Sequence, residues 1–405
     1  MASGVARRAA DYGVNIGGPV SVDMKAVKAR KERVVSQSIE SLTKWIGSTP
    51  NLTLVWGHAR FTGPHAVEVG GNAIEAAKIF INVGGRAVLP TWNGIDSVPV
   101  LTNTSMMAVD CLPEHLIVAG GSYIGLEFAQ MYRRFGSRVT VVEYADRLIA
   151  REDREVSREV QAILEREGVD FHFSVRSARV TPGQRGRGVR VALNTGGTAH
   201  ELEGSHLLAA VGRRPNTDDL GLDQAGIACD ARGFIGVDDE LRTNVPGVWA
   251  LGDANGRGAF THTSYNDYQI VAANLLDDGR RRVGDRITAY ALFTDPPLGR
   301  VGMSETEARA RGKPALVGVM PMTRVGRAKE RGETQGFMKV LVDAESERIL
   351  GAALLCIEGD EIVHSLLDVM AADASYKVVR DAVHIHPTVS ELIPTLLGNL
   401  VPLQP

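Results

Sequence analysis

The chain has 405 residues, 44% of them hydrophobic, and a formal net charge of -3; its sequence pI is about 6.4. That length suggests about two or three domains with real cores, and the near-neutral balance leaves no global basic field to draw the chain to nucleic acid or an anionic membrane. No apolar run approaches membrane-spanning length and MASGVARRAADYGV lacks an apolar signal core, so the cytoplasm is the expected location.

In chain order, residues 1–16 open on a helix-like pattern (Val5, Ala6, Ala9, Ala10) with no strand before it. Residues 24–46 read as a second helix with Val27, Val34, Val35, Ile39, Leu42 and Ile46 on one face, and the basic run KAVKARKER reads as solvated. Short strands are expected at 52–56, 66–69 and 78–83. The last two end in glycine pairs, where close approach of a ligand and a simple tight turn fit equally well.

The stretch 116–143, LIVAGGSYIGLEFAQMYRRFGSRVTVVE, organises the rest. An apolar run breaks at paired glycines, continues with helical spacing (Ile124, Phe128, Met131, Phe135) and ends in a β-branched run closing on an acid. That pattern is one strand-turn-helix-strand unit. Gly120 allows the tight turn, with Gly121 beside it. Ser122 stands where glycine would let backbone approach a pyrophosphate, and Gly125 lets helix pack on strand. The amides opening the helix, at Tyr123 and Ile124, then face the phosphates. Glu143 follows at the spacing of an acid that bonds an adenine-ribose hydroxyl, which favours NAD over NADP, although Arg147 and Arg151 lie close enough to leave NADP open.

A charged amphipathic helix is expected over 152–167, then strands near 170–173, 189–193 and 207–211. The last runs into Gly212, placed either to face a nucleotide or as a plain loop glycine. TNVPGVWALGDANG carries a strand over 248–251 and then Gly252 and Asp253. Asp253 can accept from ligand hydroxyls or cap a turn. From about residue 286 the pattern becomes antiparallel, with a hairpin of 337–342 and 349–356 around a charged turn, a Ser304/Glu307 capping box and a helix over 361–370. In HIHPTVSELIPTLL, His386 and Glu391 can meet across a helix start; a Thr388/Glu391 capping box is the competing use of the acid. Cys111, Cys229 and Cys356 form no close pair, so they read as reduced, buried thiols, and no metal-ligand spacing is present.

Together GGSYIGLE, VGRRPN, TNVPGVWALGD and HPTVSE, in that order and spacing, make the chain resemble the pyridine nucleotide-disulfide oxidoreductases, a family that includes dihydrolipoamide dehydrogenase, glutathione reductase and mercuric reductase. FTDPPLGRVGMSE points to the mercuric-reductase-like branch that includes the reactive-chlorine-resistance reductases. The resemblance implies an α/β chain with two Rossmann-like domains and a C-terminal α+β dimerisation domain. Its FAD-binding domain would be 1–110 with 218–285, N-terminally incomplete; its NAD-binding domain 111–217; its dimerisation domain 286–405. It implies FAD near Gly84 and Asp253, and NAD(P)H, NAD favoured, on Gly120 to Gly125, Glu143 and Gly212. Tyr123 would cover the flavin until nicotinamide displaces it, and Glu127 would sit near the nitrogen that receives hydride. His386, oriented by Glu391, would act as acid-base on the partner's thiol, which makes a homodimer with shared active sites and a small-molecule oxidant.

The family's first FAD fingerprint and its CxxxxC redox segment with lysine do not occur in this sequence, nor does a C-terminal cysteine pair. Two readings follow. One is an FAD-dependent oxidoreductase whose true start lies upstream of Met1. The other is a catalytically impaired NAD-binding remnant, with an exposed apolar seam where a missing strand would pair.

Overall fold

A computed structural model describes residues 2–312 and 314–404; Met1, the questioned start, lies outside them. The chain divides into two units. The first comprises Met1–Lys25, Leu89–Val211 and Ile287–Pro405, and the second Ala26–Val88 and Gly212–Arg286.

In the first unit, His115–Ala119, Arg138–Val142, Val169–His172 and His206–Ala209 form a parallel sheet in the order 206–209, 115–119, 138–142, 169–172. HLIVA is buried along its whole length, as expected of a parallel strand covered on both faces. Two helices connect these strands. Tyr123–Phe135 buries Leu126, Ala129 and Tyr132 and stops at Gly136, while Arg154–Arg166 buries Val156, Val160, Ile163 and Leu164, the one-sided spacing of an amphipathic helix. Beside them Ala178–Pro182, Val189–Thr195 and Thr198–Gly204 make a three-stranded antiparallel sheet. Only its middle strand is visible in the sequence pattern.

The same unit holds a six-stranded antiparallel sheet. Its central hairpin, Phe337–Asp343 and Ile349–Leu355, falls where the sequence places it, and Gly359–Ala371 covers the expected helix. The Ser304/Glu307 capping box is formed.

The second unit is built from three small sheets. Ala59–Gly63, Ala66–Val69 and Asn72–Glu75 pair antiparallel, Ile79–Ile81 runs parallel to Val248–Ala250, and Gly85–Ala87 pairs with Arg213–Pro215. No strand forms at 52–56. Leu52, Leu54, Val55 and Trp56 are exposed and, among the described residues, no strand pairs with them; β-branched and apolar composition makes a strand only where a ladder accepts its backbone groups. The helix Met24–Ser48 leaves Val34, Val35, Ile39, Leu42 and Trp45 exposed. Cys111 and Cys229 are exposed rather than buried, because both sit in surface loops; Cys356 alone is buried, and burial pushes its thiol up.

One polar cluster joins elements within the first unit. Asp153, at the head of Arg154–Arg166, gives its carboxylate not to its own helix but to the amides of Glu305 and Thr306, each at 3.0 Å, and to the buried ammonium of Lys339 at 2.7 Å. Lys339 also pairs with Glu305 at 3.1 Å and with Glu155. Burial alone would raise the Asp153 carboxyl, but the bond from Lys339 and the two amides outweigh it and hold it down to about 2. This stabilisation is therefore present above the ordinary aspartate value of about 4 and is lost as pH falls through the folded value. Replacing Lys339 by Met leaves three carboxylates together and should cost about 3–5 kcal/mol in denaturant unfolding near neutral pH, with the deficit narrowing as pH is lowered from about 4 towards 2.

Candidate functional site

The glycine turn of the first unit is shaped by contacts that only glycine permits. Gly120 has φ +112°, and a Cβ there would lie 2.3 Å from the Ala210 carbonyl oxygen; a Cβ at Gly125 would lie 2.0 Å from the Gly120 carbonyl oxygen. The helix is thus pressed against the turn it leaves. Ser122 stands at the N-cap, exposed, and contributes no side-chain cap to the 13-residue helix that follows. Glu143 closes the far side: one carboxylate oxygen accepts from the Gly121 amide and the other from the Ala145 amide at 2.7 Å. A cradle of backbone N–H groups at a helix start, with an acid beside it, fits a dinucleotide pyrophosphate and ribose. Gly120, Gly121, Ser122, Tyr123, Ile124, Gly125 and Glu143 therefore come together as one site.

Tyr123 and Glu127 lie on the first turns of that helix. The Tyr123 hydroxyl donates to Glu152 at 2.9 Å, and the Tyr290 hydroxyl donates to the same carboxylate oxygen at 2.6 Å. The two rings meet edge to face at 5.6 Å, with the Arg151 guanidinium 5.8 Å over Tyr123. Burial, and then the Glu152 charge, raise both phenols above their ordinary value. Glu127 accepts the Phe293 amide at 3.0 Å; burial raises its carboxyl, against that bond. Glu152 and Tyr290 are absent from the sequence-level candidates. Their contact spans 138 positions, and the sole local trace is an acid just ahead of a helix head.

In the second unit, Gly84 (φ +69°) has open space at its Cβ position, and Asp253 follows the parallel strand Val248–Ala250. Asp253 pairs with Arg213 at 3.5 Å instead of capping a helix. An acid and an open glycine beyond adjacent parallel strands suit the hydroxyl-bearing chain of a flavin cofactor. Gly212 also falls in this unit, where its carbonyl accepts from the Val88 amide.

At the C-terminal end His386 Nδ1 lies 2.7 Å from Glu391 Oε2; the imidazole is 80% exposed and the carboxylate nearly buried. The capping box does not form, because Thr388 donates to the Ile385 carbonyl and the acid is committed to the histidine. A carboxylate on Nδ1–H leaves Nε2 outward as a proton acceptor. Among the described residues one acidic group, Asp153, Glu155 and Glu305, has metal-like spacing, and Lys339 already neutralises it.

With this geometry in view, comparison with known proteins is direct. The family model described as pyridine nucleotide-disulphide oxidoreductase matches residues 9–267, and that family's dimerisation domain matches 288–397. The chain is 36% identical to the probable pyridine nucleotide-disulfide oxidoreductase RclA of Escherichia coli over 91% of this chain and 84% of that one. It is 31% identical to the dihydrolipoyl dehydrogenase of Cupriavidus necator over 95% and 81%. The solved structure of the HOCl-induced flavoprotein disulfide reductase RclA from Escherichia coli superposes with a TM-score of 0.87 at 36% identity, covering 93% of this chain and 86% of that one.

The raised Glu127 carboxyl has a measurable sign. The folded state binds a proton there more readily than the unfolded one, so its penalty is absent below the ordinary glutamate range and grows as pH rises through it. Glu127→Gln should leave the melting temperature unchanged near pH 4 and raise it near pH 8; an equal effect at both would contradict the burial.

Proposed function

The chain belongs to the pyridine nucleotide-disulphide oxidoreductase family, and from that premise we propose that it is an FAD-dependent oxidoreductase taking hydride from NADH and delivering electrons to a disulfide, metal or other small-molecule oxidant. The observation that carries this reading is the glycine turn closed by Glu143 on the Gly121 and Ala145 amides. When bound, FAD supplies the acceptor for hydride and the outlet for electrons. The matches favour this enzyme over a non-catalytic remnant.

Gly120, Gly121, Ser122, Ile124 and Gly125 hold the dinucleotide pyrophosphate by backbone. Glu143, still able to accept further bonds, takes the adenine-ribose hydroxyls and disfavours a 2′-phosphate by charge. Gly212, in the second unit, is left as an open loop glycine with φ +141°. Tyr123 covers the nicotinamide position, and Glu127 stands at the hydride-receiving end. Gly84 and Asp253 hold the flavin side. These assignments fit an NAD-binding domain over 111–217, flanked in sequence by FAD-binding segments 1–110 and 218–285 and followed by a dimerisation domain over 286–405.

The dimerisation-domain match supports a homodimer. Within it, His386 takes and returns a proton at Nε2 while Glu391 fixes the tautomer and steadies the imidazolium; this sequence holds no CxxxxC thiol for it to serve, so the proton goes to the disulfide or other oxidant being reduced, in an active site shared across the dimer. No helix among the described residues is long and apolar enough to cross a membrane, and we place the enzyme in the cytoplasm.

Steady-state reduction of a quinone by the purified chain supplied with FAD tests the nucleotide assignment. NADH should be preferred over NADPH in kcat/KM, and Glu143→Gln should narrow the ratio about tenfold. Equal use of both nucleotides by the unaltered chain would overturn it.

A further inference from the structure

Three features stand outside the machinery described so far: the Lys339 cluster, the exposed helix Met24–Ser48, and the buried carboxylate of Glu152. The first is internally neutralised, and nothing in the structure shows what covers the second. Glu152 carries an argument.

Its side chain is fully buried. One oxygen, Oε1, receives both the Tyr123 and the Tyr290 hydroxyls. The other, Oε2, has no hydrogen-bond partner among the described residues and lies 3.8 Å from Arg300 Nε, while Arg300 Nη1 is also without one. A buried carboxylate is strongly dependent on its donors. Here it has two phenols and a distant guanidinium, and one of the phenols belongs to the residue that stands in the nicotinamide's place.

We infer that Glu152 and Tyr290 are positioning residues that set how readily Tyr123 yields to nicotinamide. Glu152 tethers the Tyr123 hydroxyl and so holds its ring over the site. Tyr290 shares the same oxygen from the six-stranded sheet and keeps the carboxylate solvated when Tyr123 leaves. The two phenols therefore act in opposite senses. Losing the Tyr123 hydroxyl removes the tether; losing the Tyr290 hydroxyl makes Tyr123 the sole close donor and its departure more costly. This rests on the reading of Tyr123 as the cover of the nicotinamide position.

The test is calorimetric binding of NAD+ and of ADP-ribose to the FAD-supplied chain. ADP-ribose fills the same cradle but has no nicotinamide to displace Tyr123. Tyr123→Phe should tighten NAD+ binding about tenfold, near the scale of one charge-assisted hydrogen bond, and Tyr290→Phe should weaken it by a smaller factor of about threefold. ADP-ribose affinity should stay within about twofold in both variants. Shifts of the same sign in the two variants, or equal shifts for both ligands, would mark a merely structural network and overturn the inference. Tyr123→Ala separates the two levels. If it changes NAD+ but not ADP-ribose binding while both phenylalanine variants are silent, the tether fails and the cover stands. If it too leaves NAD+ binding unchanged, the reading of Tyr123 fails, and the tether with it.

Discussion

Two consecutive acids, Glu152 and Asp153, connect the glycine turn to the six-stranded sheet within the first unit. Asp153 reaches forward to the Glu305 and Thr306 amides and to Lys339. Glu152 reaches back to Tyr123 on the turn helix and sideways to Tyr290 on the sheet. Both carboxylates are buried, so each costs free energy unless its donors stay in place. That requirement fixes the first turn of Tyr123–Phe135 relative to the sheet. The precision of the proposed nucleotide site thus depends on charges buried outside its glycine turn.

The glycines answer a different requirement. At Gly125 the obstacle is the Gly120 carbonyl, and at Gly120 it is the Ala210 carbonyl on the neighbouring strand's extension. Strand, turn and helix are locked by backbone-to-backbone approach, a contact that survives changes in side chain elsewhere. Glu143 completes the lock by accepting one amide from each side of itself. The same acid that we propose discriminates between nucleotides therefore also shapes the turn.

Much of this was legible before the structure, and the reasons are local. Residues 116–143 change from strand to helix to strand periodicity at glycines, and each change survives because the segment pairs with its own neighbours. The hairpin of Phe337–Asp343 and Ile349–Leu355 announces itself in the same way. Thr198–Gly204 does not: TAHELEG is mostly exposed, so its alternation carries no apolar signal, and only pairing with Val189–Thr195 makes it a strand. Residues 52–56 fail in the opposite direction, with apolar composition and no pairing strand among the described residues. Glu391 offered two uses by spacing alone, and the structure commits it to His386. The link from Glu152 to Tyr290 was invisible because nothing within a dozen residues of either one encodes it.

The measurement that bears most directly on the account is the visible spectrum of the purified chain incubated with FAD, cleared of free cofactor and titrated anaerobically with NADH. The account predicts flavin bands that stay with the protein near one per chain and bleach stoichiometrically with NADH. A protein that remains colourless after incubation, or whose flavin bands do not respond to NADH, would contradict it.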